Sequence, residues 1–267
     1  MAGWPVAHSR SPAIQNAALA ACELLEWRYQ LLPVPPELFA ETVRALPGES
    51  FRGINVTIPH KEAALALATE ASERARVIGA ANVLVFEAGG QIRADNTDAP
   101  ALSAALGSVL AVSGATALVL GAGGSARAAV WSLLDAGARS VRVWNRTPER
   151  VEALAEELGA VAVSAAEPAD VLVNCTSVGL DPGELDPAHP LGGLPLGPDD
   201  LAGYRVVVDF VYRGDAGGTP LLAAARSAGV PAIDGLELLV GQGALSFEQF
   251  TGRPAPVEVM RRAAGLG

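Results

Sequence analysis

A glycine-rich turn, two arginines and one lysine are the residues of this chain whose types and spacing point most directly to chemistry. In T-A-L-V-L-G-A-G-G-S-A-R-A, Thr116 to Ala128, a Val/Leu run ends at Gly121. Gly121, Ala122, Gly123, Gly124, Ser125 and Ala126 then open an Ala-rich run that reads as a helix to Leu134. A strand, a tight turn and a helix N-terminus in that order suit a pyrophosphate: glycines let the backbone approach, and unpaired amides and the helix dipole favour negative charge. A second apolar strand, Ser140 to Trp144, ends in Asn145, Arg146 and Thr147, beginning 24 residues after Gly121. An NAD-binding unit usually places a carboxylate about 20 residues on, for the ribose hydroxyls. Here Arg146 stands instead, with Arg150 one helical turn later. Two guanidinium forks match the oxygens of a 2′-phosphate and would lack that partner on NAD. We therefore read NADP(H) rather than NAD(H), the alternative being a solvated pair of surface arginines.

Lys61 is the second feature. In F-R-G-I-N-V-T-I-P-H-K, residues Gly53 to Ile58 read as a buried strand, Pro59 stops it, and Glu62 to Ala68 read as a helix. The lysine thus falls at a strand end and in a first helical turn, where the dipole disfavours a cation without a task. Strand ends in α/β folds face ligand clefts; the alternative is a snorkelling surface lysine. Ser9 and Ser11 precede a helix with Pro12 at its first position and Ile14, Ala17, Ala18, Ala21 and Leu25 as its apolar stripe. Ser11 is read as the N-cap, and both hydroxyls are available to a carboxylate. Asp98 follows D-N-T and opens an Ala/Leu helix, so it is a further cap candidate. His60 is read as structural, because neighbouring residues on a helix diverge in direction.

The elements that position these residues alternate along the chain. A strand near Tyr29 to Leu32 and a helix from Glu37 to Leu46 precede the Lys61 stretch, and a hairpin, Val83 to Phe86 and Ile92 to Ala94, leads into D-N-T-D. After Arg150 come a helix Val151 to Leu158, strands Val161 to Val163, Val171 to Asn174 and Val206 to Asp209, a helix Leu221 to Ser227, and a strand Val230 to Ile233. Residues 177–203 are Pro/Gly-rich and read as a loop. A last helix spans Val257 to Ala264. At 267 residues, two domains are expected, and the Ala, Val, Leu and Gly content is that of a globular α/β protein. A net charge of −10 argues against nucleic acid and anionic membrane as partners. Apolar runs fall short of a membrane span and no leader pattern opens the chain, so a cytoplasmic protein is expected. Cys22 and Cys175 lie far apart and the three histidines are scattered, giving neither a disulfide framework nor a metal site.

Taken together, S-R-S-P (Ser9 to Pro12), N-V-T-I-P-H-K (Asn55 to Lys61), Ala81-Asn82, D-N-T-D, G-A-G-G-S-A, N-R-T-P-E-R, Asn174 to Ser177, Tyr212 and Gln242 resemble shikimate dehydrogenase over nearly the full length. The resemblance implies an α/β fold of two domains: an N-terminal α/β substrate domain with a mixed sheet, 1–99 plus 234–267, and a Rossmann-like doubly wound NADP domain, 100–233. It implies reversible reduction of 3-dehydroshikimate to shikimate by NADPH, in the route to chorismate and the aromatic amino acids, with substrate and coenzyme meeting between the domains. Lys61 is implied as proton donor, paired with Asp98. Ser9 and Ser11 are implied to bind the substrate carboxylate, Thr57, Asn82 and Gln242 the ring hydroxyls, and Tyr212 to flank the site. On the coenzyme side the resemblance adds Asn145, Thr147, Thr176, Val211 and Gly235 to the glycine turn and the arginines. Members of that family carry a β-strand ahead of Gly3, where this sequence has only Met1 and Ala2; an exposed sheet edge or a gap in the core is expected there. A quinate/shikimate dehydrogenase of broader cofactor use and a non-catalytic ligand-binding paralogue are the competing readings. A homodimer is left open.

Overall fold

The computed structural model describes residues 1–180, 189, 191–213 and 218–266. In chain order the elements are β1 (Ala2–Gly3), α1 (Ser11–Ala21), β2 (Leu32–Pro33), α2 (Phe39–Ala45), β3 (Gly53–Asn55), α3 (Lys61–Leu67), β4 (Glu70–Ala71), α4 (Glu73–Ile78), β5 (Val83–Phe86), β6 (Ile92–Asp95), α5 (Asp98–Gly107), β7 (Thr116–Leu120), α6 (Gly124–Asp135), β8 (Ser140–Trp144), α7 (Pro148–Leu158), β9 (Val161–Ala162), β10 (Val171–Asn174), β11 (Val206–Asp209), α8 (Pro220–Ser227), β12 (Ala232–Ile233), α9 (Gly235–Thr251) and α10 (Val257–Ala264). The chain divides into two units, Met1–Asp98 with Leu239–Gly267, and Ala99–Leu238.

In the first unit the sheet runs β3-β5-β6-β4 and is mixed: β5 is antiparallel to β3 and β6, and β4 is parallel to β6. The apolar run V-L-V-F of β5 is buried along its whole length because it is a central strand covered on both faces. Ile54, Leu84, Ala94, Phe39 and Val43 form its core with Ala2 and Val56. The expected gap ahead of Gly3 is not seen. Ala2–Gly3 pairs parallel with Leu32–Pro33, a bridge joins Ala2 to Val56, and Ala2 is 1% exposed, so these residues fill the position between β2 and β3. The strand expected near Tyr29 to Leu32 is correspondingly shifted to Leu32–Pro33, where Met1 and Gly3 offer main-chain partners. Leu25 is 82% exposed beyond the end of α1, and the buried stripe is Ile14, Gln15, Ala18 and Leu19 instead.

In the second unit all six strands are parallel, in the order β12-β11-β10-β7-β8-β9. The order reverses between β7 and β10, the first strand of the unit and the first strand laid on its other side. In doubly wound sheets that reversal opens a crevice at the strands' carboxyl ends. V-L-V-N, V-V-V-D and the last four residues of T-A-L-V-L are buried throughout, as central parallel strands must be. β9, at the edge, is exposed. Part of the Pro/Gly-rich 177–203 stretch lies outside the described residues.

Candidate functional site

Lys61 opens α3, and His60 holds the start of that helix. The His60 ring stacks on Phe39 with centroids 4.2 Å apart, and its Nε2 donates to the Val34 carbonyl at 2.7 Å. Its main-chain N–H donates to Thr57 O, and Thr57 N–H to Ala2 O, so the turn through the proline is tied down at both ends. The ammonium therefore leaves a fixed helical turn, and it meets Asp98 Oδ2 at 2.6 Å with both side chains under 10% exposed. A counter-charge at that distance offsets the unfavourable dipole.

Asp98 does not cap α5. Asn96 does: its Oδ1 accepts the Asp98 N–H at 3.1 Å, while its Nδ2 donates to Ala80 O. Asp95 is held in turn by Ser72, by both its oxygens on Arg74, and by Gln249. Thr97 donates its N–H to Asn82 Oδ1 at 2.7 Å. Each residue of D-N-T is thus committed to holding the turn, which frees the Asp98 carboxylate to face Lys61 and Asn82. Asn82 Nδ2 lies 2.9 Å from Asp98 Oδ1, 3.0 Å from Thr97 Oγ1 and 3.3 Å from Gln242 Oε1. Gln242 is oriented by donating to Leu239 O. Lys61, Asp98, Asn82 and Gln242 are therefore one buried polar cluster in an apolar unit. A group so expensive to bury is kept only with its partners satisfied.

The sequence reading missed the layer behind this cluster. Asn55 Nδ2 donates to Ser246 Oγ at 2.8 Å, Tyr29 Oη donates to Asn55 Oδ1 at 2.7 Å, and Ser246 lies 3.3 Å from Thr97. The available signal was a buried asparagine inside the apolar strand I-N-V. Ser9 and Ser11 sit together, Oγ to Oγ at 3.2 Å, both near the Met1 sulfur. Ser11 is the first helical residue and not the cap. Arg10 occupies the cap position, and Ser9 Oγ accepts the Ser11 N–H. The Ser11 hydroxyl is therefore not consumed by capping. A cavity of about 320 Å³ lined by residues including Trp27, Tyr29, Phe51 and Phe250 lies on the same unit and includes none of the expected site residues.

In the second unit, Gly121 has φ +110°, and a Cβ there would stand 3.0 Å from Cys175 O. Only glycine lets the turn after β7 press against the turn after β10. Gly123 is different: a Cβ would meet nothing within 4 Å. No side chain caps α6, which begins at Gly124 beside that open space. This is the shape a phosphate group fills, and it fits the coenzyme expected from the sequence. Asn145, Arg146 and Thr147 form the turn from β8 to α7, with Arg146, Thr147 and Arg150 exposed. Thr176 is held by Asn174. Val211 and Tyr212 follow β11 in this unit, so Tyr212 is not in the unit that holds Lys61. Gly235 lies against the carbonyls of Asp209, Phe210 and Val211, 2.6 to 2.9 Å from where a Cβ would be, and that contact by itself requires glycine.

Three family models match the chain: the shikimate dehydrogenase substrate binding domain over residues 1–84, shikimate / quinate 5-dehydrogenase over 104–178, and the shikimate 5′-dehydrogenase C-terminal domain over 235–264. The shikimate dehydrogenase (NADP(+)) of Methylobacterium radiotolerans is 47% identical, covering 95% of this chain and 90% of that protein. The chain belongs to the shikimate dehydrogenase family. The α/β fold agrees. The shikimate 5-dehydrogenase of Thermus thermophilus in complex with NADP(H) and shikimate superposes with a TM-score of 0.84 at 39% identity, covering 99% of this chain and 97% of that one. The ligand-free 5-ketofructose reductase of a Gluconobacter species gives 0.81 at 28% identity over 99% and 96%. Proteins named for different substrates thus share the architecture, and the site must decide which applies. Among the described residues no helix is long and apolar enough to cross a membrane.

Proposed function

We propose that this protein reduces 3-dehydroshikimate to shikimate, reversibly and with NADPH. The observation that carries the reading is the buried cluster of Lys61, Asp98, Asn82 and Gln242 in a chain of this family. The unit holding that cluster is the substrate domain, and the doubly wound unit is the coenzyme domain. Bound NADPH supplies the hydride to the carbonyl carbon. Charge then develops on the carbonyl oxygen, and Lys61 Nζ gives that oxygen a proton, leaving a neutral amine that solvent recharges. Asp98 fixes the direction of the ammonium, Asn82 donates to Asp98, and Gln242 accepts from Asn82. With Thr57 they offer directed donors and acceptors for the ring hydroxyls, and Ser9 and Ser11 take the carboxylate. A 5-ketofructose substrate has no carboxylate for that serine pair. Arg146 and Arg150, with Asn145 and Thr147, hold the 2′-phosphate, while Gly121 to Ala126, Thr176, Val211 and Gly235 line the rest of the coenzyme. The protein works in the cytoplasm, and its net charge of −10 keeps it from polyanionic partners.

The test is a steady-state assay with four pairings: shikimate or quinate, each with NADP or NAD. The expected result is a kcat/KM for shikimate with NADP exceeding each of the others. Preference for NAD would overturn the phosphate grip, preference for quinate the substrate assignment, and tight NADPH binding without turnover would make the protein a ligand-binding paralogue.

A further inference from the structure

Asp209 is a carboxylate the proposed reaction does not use, and it is completely buried at the end of β11. Its register partner at the end of β10 is Asn174, also completely buried. Among the described residues, three donors converge on it. Asn174 Nδ2 and the Val211 N–H reach Oδ1 at 2.9 and 3.0 Å, and Thr219 Oγ1 reaches Oδ2 at 2.5 Å. Thr219 Oγ1 already accepts the Leu222 N–H as the cap of α8, so its own proton is the one directed at Asp209. Asn174 Oδ1, for its part, accepts both the N–H and the hydroxyl of Thr176, whose Oγ1 then accepts the Val178 N–H.

No cation acts on Asp209 among the described residues, and the one further charge that does, the Asp234 carboxylate, opposes its ionisation. A buried charge without a counter-ion is costly. An asparagine, half donor and half acceptor, would remove that charge. It would however turn an NH₂ toward groups that all donate. What the carboxylate holds is specific: the turn after β10, the turn after β11 and the start of α8. The turn after β10 is also the one that Gly121 presses against, through Cys175 O.

We propose that Asp209 is a positioning residue for the coenzyme, setting through Asn174, Val211 and Thr219 the two turns on which NADP(H) rests. This rests on the coenzyme reading above. Burial raises the Asp209 carboxyl to about 7. Protonation leaves Oδ1 to accept from Asn174 and Val211 and turns Oδ2 into a donor facing the Thr219 hydroxyl, so the hold on the start of α8 weakens as pH falls through that value. Its stability contribution has the opposite sense: a raised folded value means stabilisation that is complete below the ordinary carboxylate range and lost as pH rises to about 7.

The test is NADPH binding to the full chain, followed by coenzyme fluorescence at pH 6 and pH 8, with steady-state kinetics beside it. Asp209→Asn is expected to weaken NADPH at pH 8 at least tenfold and to abolish the part of the pH dependence that the coenzyme's own phosphate does not cause. KM for 3-dehydroshikimate should stay within twofold. Thr219→Val, which keeps the carboxylate, should move the same way, and Thr219→Ser should restore wild-type binding. The proposal is overturned if Asp209→Asn binds NADPH as wild type does, or if both KM values and kcat deteriorate together. If Asp209→Asn does not fold, Thr219→Val against Thr219→Ser decides on the same binding readout. Failure of wild-type turnover with intact NADPH binding would refute the substrate reading and leave this comparison standing.

Discussion

Replacing Asp98 by asparagine removes one charge at nearly constant volume, and the geometry sets how much should be lost. At 2.6 Å, with an effective dielectric near 20, the Lys61 to Asp98 attraction is about 6 kcal/mol before desolvation. Part of that only offsets the cost of burying both charges. The variant takes from an ammonium under 10% exposed the carboxylate that lies 2.6 Å away, and breaking a buried pair costs about 3–5 kcal/mol. At about 2–4 °C per kcal/mol, thermal unfolding followed by far-UV circular dichroism at pH 7 should show Tm lower by roughly 6–20 °C. Turnover should fall with it, by about 100-fold, because the amine is no longer aimed. Glu87→Gln is the control. It breaks the Arg93 to Glu87 pair, of similar length at 2.9 Å but 36% and 40% exposed, and should cost less than about 1 kcal/mol. An Asp98→Asn protein that melts within 2 °C of wild type, by a rough threshold below the smallest expected shift, would refute the reasoning that the pair is buried and mutually compensating.

The two glycines of the dinucleotide turn should part company. Gly121→Ala forces a side chain into φ +110° against Cys175 O and should cost stability, about 1–3 kcal/mol from strain alone, measured by denaturant unfolding. Gly123→Ala, with nothing within 4 Å of the new Cβ, should leave stability within about 0.5 kcal/mol of wild type and raise KM for NADPH, and an unchanged KM would remove the pyrophosphate from that space. Arg146→Ala should raise KM for NADPH by about tenfold or more while leaving that for NADH unchanged, since only the former carries the phosphate. Equal losses for both coenzymes would assign Arg146 a different task.

The doubly wound unit was largely legible because its strands are short, apolar and punctuated by glycine, so that Ser140 to Trp144, Val171 to Asn174 and Val206 to Asp209 coincide with β8, β10 and β11. The first unit was less so. Glu70–Ala71 and Glu73–Ile78 have no run of apolar residues to announce them, and their place is set by β6 and by the Arg74 to Asp95 contact. α9 carries glycine at its interior, where local propensity disfavours a helix. In the structure Gly243 lets Gln15 Nε2 reach its carbonyl at 2.9 Å, a packing requirement invisible to local propensity. Spacing alone left Ser11 and Asp98 as caps. It is Ser9 and Asn96, each two residues earlier, whose side chains accept those amides, and which of two nearby polar residues does so depends on backbone angles that sequence does not print.

The account stands on Lys61 as the group that protonates the reduced oxygen. The direct measurement is steady-state reduction of 3-dehydroshikimate by NADPH with wild type and Lys61→Met, which keeps the length of the side chain and removes its proton. The predicted result is a kcat lower by about 100- to 10,000-fold, with KM for both reactants changed little. A variant that turns over at a rate near wild type would contradict it.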